Sequence, residues 1–321
     1  MSALLEVEGL RVKLPTPTGF ATVVDGVDYR VQQAQVFGVA GESGSGKTIS
    51  MLALLGLLPP GSVVEGSASF AGKDLLRLRT GELRAVSGRE IGMVFQDPMT
   101  SLHPMLSVGR QLTEHIRLHL GVTREAATRR AEDLLAEVRL PDPPSALRAY
   151  PHQFSGGMRQ RIAIAIALAC EPRLLIADEP TTALDVTVQA GILRLLDRLR
   201  REHDLSVILI THDLAVMSSV ADRVSIFYAG RVVESGSRSE VLQRPRHPYT
   251  RALLEALPHP EAARDKPLVA IKGTPPSPQQ IPSGCPYHPR CPYAIDVCTS
   301  NDPPLAPLND RRLACHVDPF R

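Results

Sequence analysis

The 321-residue sequence predicts an α/β fold, a largely parallel sheet covered by helices, followed by a small loop-rich extension. Three observations predict it. Apolar β-type runs, VFGVA (Val36 to Ala40), LLIAD (Leu174 to Asp178) and VILIT (Val207 to Thr211), alternate with helical stretches between Leu4 and about Ser235. The first of these runs leads directly into a glycine-rich turn and an apolar helix. Beyond Ser235 the texture changes, because 16 of the 28 prolines lie within 245–319. Proline lacks a backbone donor and is excluded from helix interiors and central strands, so this tail reads as loops with one helix, Tyr249 to Leu257.

Composition narrows the classes of function. A hydrophobic share of 43% supplies a core, and Lys+Arg 36 against Asp+Glu 34 leaves +2 with a pI of about 8.3. That balance carries no electrostatic footprint for nucleic acid. The N-terminal stretch MSALLEVEGLRVKLP has no basic segment, apolar core or cleavage site of a secretory signal, which predicts a chain retained in the cytoplasm. The longest apolar runs, Met51 to Leu58 and Ile162 to Cys170, are less than half of the roughly 20 residues that span a bilayer. Association with a membrane therefore requires a partner.

Taken in order, the elements carry a recognisable chemistry. Gly41-Glu42-Ser43-Gly44-Ser45-Gly46-Lys47-Thr48 stands between a strand and a helix, the context of a phosphate-binding loop. Its glycines let backbone N–H groups wrap phosphates, Lys47 reaches the β/γ oxygens and Thr48 offers a hydroxyl to Mg²⁺. The stretch from about Ser107 to Arg139 reads as a helical insertion. RIAIAIALA, Arg161 to Ala169, alternates large and small residues like a strand, but with nearly every position apolar its alanines favour a buried helix. RLLIADE then ends in two carboxylates where a parallel sheet binds ligands. Asp178 is placed to hold Mg²⁺ through water, and Glu179 to orient or deprotonate the water that attacks a γ-phosphate.

Phe154-Ser155-Gly156-Gly157-Met158 narrows the field, because it resembles the Leu-Ser-Gly-Gly-Gln signature of the ABC ATPases, departing from it at Phe154 and Met158. Ser155, Gly156 and Gly157 match, and these can cradle a γ-phosphate. Gln96 in MVFQDP, the loop Thr182-Ala183-Leu184-Asp185 and His212 in ITHD follow in the family's order. The resemblance implies a P-loop NTPase core of ABC type, residues 1–244, with a helical subdomain at about 97–170. It also implies that Gln96 senses Mg²⁺ and the attacking water, that His212 contacts the γ-phosphate and that Asp185 organises a dimer interface. Such ATPases work as head-to-tail dimers in which each P-loop is completed by the other subunit's signature. Adenine usually stacks on an aromatic upstream of the P-loop. Phe37 and Tyr29 lie in strand-like runs, which leaves Phe20 in PTGFAT, either as that platform or as a loop aromatic packed on the fold.

QDPMTSLHP (Gln96 to Pro104), HPYTRALLEALP (from His247) and GCPYHPRCP (Gly284 to Pro292) resemble the dipeptide, oligopeptide and nickel importer subunits, with His103 replacing an Asn. The resemblance implies an ATPase that energises solute import together with a second homologous ATPase, two permease subunits and an extracytoplasmic solute-binding protein, on the cytoplasmic face of the membrane. Peptide is the expected cargo, and nickel or another small solute the alternative. A nucleic-acid or ribosome-directed ABC ATPase would show paired cassettes, long coiled coils or strongly basic surfaces, and the sequence has none. In the 245–321 extension Cys285, Cys291, Cys298 and Cys315 are separated by five, six and sixteen residues, unlike the short knuckles of structural zinc. The resemblance associates this region with a [4Fe-4S] cluster; zinc and unliganded thiols remain the alternatives. Cys170 reads as a small buried hydrophobe.

Overall fold

The chain begins with a long hairpin, because the turn between Leu5–Thr16 and Gly19–Val31 is too short to connect anything but antiparallel strands. The computed structural model describes residues 3–182, 184–257 and 270–321, and divides into two compact units. The first comprises 1–32, 36–77 and 211–321; the second comprises 33–35 and 78–210.

In the first unit the hairpin belongs to an antiparallel sheet of four strands, in which Leu5–Thr16 lies between Gly19–Val31 and Val63–Phe70. This sheet departs from the parallel arrangement that the sequence predicts. The Val36–Ala40 strand is different: all five residues are buried, and it runs parallel to Arg223–Tyr228, with Phe37 opposite Arg223 and Ala40 opposite Ile226. Arg231–Ser237 then turns back antiparallel at Ala229 and Gly230, both at positive φ as a tight hairpin requires. The helix Leu214–Val220 covers this layer so closely that a Cβ on Gly38 would lie 2.5 Å from the Met217 sulfur.

The proline-rich extension holds more regular structure than its composition suggests. Besides the helix Pro248–Glu255 it supplies Ala306–Leu308 and Arg311–Leu313, and the second of these pairs with Arg231–Ser237 through Glu234 opposite Leu313. Three-residue strands are too short to show an alternating pattern, and the turn between them depends on Asn309 at φ 53. Ion pairs fasten this edge: Arg311, 5% exposed, meets Glu234, 0% exposed, at 2.8 Å, and half-buried Arg246 pairs with half-buried Asp318.

The second unit centres on three parallel strands, with Leu174–Asp178 between Ile91–Val94 and Ser206–Ile210. The helices Val108–Leu120, Arg124–Glu137, Pro143–Arg148, Gly156–Leu168 and Val186–Glu202 complete it. Each starts where a Ser, Thr or Asp side chain accepts an otherwise orphaned backbone N–H, from Ser107, Thr123, Asp142, Ser155 and Asp185 respectively. The ambiguous Arg161 to Ala169 run lies on a buried helix, as its alanines predict. Among the described residues no helix is long and apolar enough to cross a membrane.

Candidate functional site

In the first unit the glycine-rich turn is built by close backbone approach. Gly41 has φ 145, and a Cβ there would lie 2.2 Å from the Phe227 carbonyl oxygen; Gly46 has φ 97, and its Cβ would lie 2.6 Å from the Val23 carbonyl oxygen. No side chain fits at either position. Gly46 caps the helix Lys47–Leu54, so the free N–H groups of that helix open onto the turn. Lys47 is buried, and its ammonium donates to the carbonyls of Gly41 and Glu42 at 2.8 Å each and to Ser45 Oγ at 3.4 Å. Ser43 and Gly44 are exposed at the tip, Ser45 is buried, and Thr48 on the first helical turn is half-buried.

Phe20 lies near the start of the Gly19–Val31 strand, opposite Pro15, instead of in a loop. It is 60% exposed, so it is not packed on the fold. It lines an open concavity of about 720 Å³ with Arg11, Thr22, Pro278 and Ile281. Phe37 and Tyr29 are buried and stack on each other at 5.4 Å, which removes them as platforms. His212 is exposed beyond Thr211, whose N–H donates to the Val39 carbonyl at 3.2 Å. Asp213 caps the next helix.

In the second unit the Leu174–Asp178 strand delivers a buried Asp178, 2% exposed, and then turns sharply at Glu179, where φ is 44. A glutamate in the left-handed region is strained, and such strain persists only where the surroundings enforce it. Here the Glu179 N–H donates to Ile210 O at 2.9 Å, while its carboxylate accepts from Gln96 Nε2 at 3.0 Å and from Thr182 Oγ1 at 2.9 Å. The sequence names Gln96 and Glu179 separately; their direct hydrogen bond, across 83 residues, has no sequence signal. Thr182 was legible only as part of a loop, and Ala183 in that loop lies outside the described residues.

The signature residues open the helix Gly156–Leu168. Ser155 is exposed and accepts the Met158 N–H at 3.4 Å, while a Cβ on Gly157 would lie 2.5 Å from Val188 Cγ1 on the following helix. Asp185 accepts the Val188 N–H at 2.9 Å, so its carboxylate starts the helix that packs against Gly157.

Four cysteines converge in the extension. Burial raises the thiol pKa of Cys285, Cys291 (to about 11) and Cys315, and charge on neighbouring cysteines raises each further. Backbone N–H groups point at the same sulfurs: Tyr287 and His288 at Cys285, Tyr293 at Cys291, Val317 and Asp318 at Cys315. Cys298 lies on the helix Asp296–Ser300, and its carbonyl accepts the Cys285 N–H at 2.9 Å. Among the described residues no three of these sulfurs gather within 4.8 Å of one another. Cys170, with its thiol pushed up to about 11 by burial, is apart from them at the end of an apolar helix.

Comparison with known proteins bears on the family and the fold. The ABC transporter family matches residues 24–182, and the oligopeptide/dipeptide transporter C-terminal region matches residues 233–298. The dipeptide transport ATP-binding protein DppD of Escherichia coli is 48% identical over 317 residues, covering 98% of this chain and 96% of that protein. The oligopeptide transport ATP-binding protein OppD of Salmonella typhimurium is 45% identical, covering 98% and 93%. Among solved structures, the ATP-binding cassette MJ0796, a dimer in a post-hydrolysis state bound to ADP and Pi, superposes with a TM-score of 0.65 at 26% identity over 73% of this chain and 98% of that one. The chain is an ATP-hydrolysing member of the ABC transporter family and carries the C-terminal region of its oligopeptide and dipeptide branch.

Proposed function

We propose that this protein is the ATPase subunit that energises import of dipeptides or oligopeptides through a membrane permease. The observation that carries the reading is the hydrogen bond from Gln96 to Glu179, which joins a water-orienting amide to a base at the end of the Asp178 strand. In the first unit Lys47 exchanges the carbonyls of Gly41 and Glu42 for the β/γ-phosphate oxygens, the N–H groups of Gly41 to Thr48 wrap the phosphates, Phe20 stacks the adenine and His212 meets the γ-phosphate. In the second unit Asp178 would hold Mg²⁺, and Glu179, oriented by Gln96 and Thr182, receives the proton of the attacking water. Thr48 in the first unit, and Gln96 and Asp178 in the second, would serve Mg²⁺, which would neutralise charge developing on the phosphates.

Ser155, Gly156, Gly157 and Asp185 serve the partner's nucleotide in a head-to-tail dimer, with a second homologous ATPase as the other half. Two permease subunits and an extracytoplasmic binding protein complete the importer, which places this chain at the cytoplasmic membrane face. Cys285, Cys291, Cys298 and Cys315 hold a [4Fe-4S] cluster that staples the extension. The nearness of the four thiols and the N–H groups aimed at three of them support a thiolate-held group.

The test is uptake into vesicles reconstituted with this chain, its partner ATPase, the permease pair and the binding protein. Accumulation of a labelled dipeptide that requires internal MgATP is expected. MgATP-driven accumulation of a nickel chelate, with none of any peptide, would assign the other cargo.

A further inference from the structure

Glu42, the second residue of the phosphate-binding turn, is held from three sides, and two of the holds come from the C-terminal extension. Its N–H donates to Tyr249 Oη at 2.9 Å. Its carbonyl accepts Lys47 Nζ at 2.8 Å. Its carboxylate takes a two-pronged bond from Arg290, Nη1 to Oε2 at 2.7 Å and Nη2 to Oε1 at 3.0 Å. The Arg290 side chain is only 4% exposed, its Nε donates to Lys272 O at 2.9 Å, and its guanidinium lies over Tyr228 and Tyr287 at 5.7 and 5.9 Å from the ring centroids. Tyr249 is 0% exposed. A bidentate pair whose guanidinium is buried among aromatic rings fixes geometry in a way a surface pair does not.

We propose that Arg290 and Tyr249 are positioning residues of the phosphate-binding loop, through which the cysteine-bearing extension sets nucleotide affinity. The inference rests on the reading of Gly41 to Thr48 as that loop. Two physical consequences follow from the anchor. When phosphate arrives, Lys47 must release the Gly41 and Glu42 carbonyls; with the Glu42 N–H and carboxylate fixed elsewhere, the turn keeps its curvature as the lysine leaves. Arg290 also cancels the charge of Glu42, which would otherwise stand as an unpaired anion in a loop built to receive polyphosphate. Because Arg290 lies between Tyr287 and Cys291, whatever orders the cysteine segment orders the anchor.

Calorimetric titration of the full chain with MgADP tests this. Arg290→Ala should weaken binding about tenfold, and Tyr249→Phe, which removes one hydroxyl, about threefold. Adding Glu42→Gln to Arg290→Ala should recover the part of the loss that comes from the uncancelled charge, a rescue that a merely structural role for Arg290 would not give. Affinity within about twofold of the wild type in both single variants would overturn the inference, and Tyr249→Phe alone decides if Arg290→Ala does not fold. Wild-type affinity in Lys47→Ala is a separate outcome, one that sinks the loop reading itself.

Discussion

Glu179 shows how much of the chemistry depends on single side chains held against their preferences. Its backbone is left-handed, and the carboxylate is oriented by Gln96 and Thr182 before any substrate arrives. Preorganisation of this kind removes reorganisation from the reaction step. Residues whose role is local, such as Lys47, Asp178 and Ser155, were legible in the sequence because their motifs carry their own strand and helix context. The partners of Glu42 were not, since Arg290 is 248 positions away and nothing in either segment refers to the other.

His247 gives a test at the same scale. It is 1% exposed, its Nδ1 accepts the Tyr249 N–H, its own N–H donates to Glu234, and burial pushes its pKa down from 6.5 to about 3. The unfolded chain takes up this proton near pH 6.5 and the folded chain does not, so the contribution is complete above pH 6.5 and is lost as pH falls toward 3. His247→Asn keeps an acceptor for the helix cap and removes the titration. Urea unfolding of both proteins should show the wild type losing about 1.4 kcal/mol per pH unit relative to the variant below pH 6.5. Glu234, raised by burial, shifts in the opposite sense but is common to both proteins.

At the scale of elements, the helix Gly156–Leu168 was readable through its alanines despite a strand-like alternation, because burial on every side removes the solvent signal but not the helix propensity. The strands Ala306–Leu308 and Arg311–Leu313 were not readable: they are short, and their place is set by pairing with Arg231–Ser237 and by the buried Arg311–Glu234 pair. Phe20 was placed in a loop because the hairpin extends through Pro15, a residue that composition alone assigns to a break. On the proposed reading the four thiols of the cysteine segment hold an iron–sulfur cluster. Anaerobically purified protein should carry about four iron and four sulfide per chain, and Cys291→Ala should lose both. One zinc per chain in their place would contradict the cluster.

For the whole molecule, the proposed function gives the first unit the phosphate-binding loop, held by the C-terminal extension, and the second unit the base and the signature. On the proposed function, head-to-tail pairing makes ATP the ligand that closes the dimer and hydrolysis the event that releases it, a two-state cycle driven by differential binding. Release therefore depends on Glu179. The most direct measurement is steady-state ATPase activity of Glu179→Gln beside its MgATP affinity. Turnover should fall by about 10²- to 10⁴-fold, with affinity unchanged and a dimer that persists in MgATP. Full turnover in Glu179→Gln would contradict it, because the proton of the attacking water would then have another acceptor.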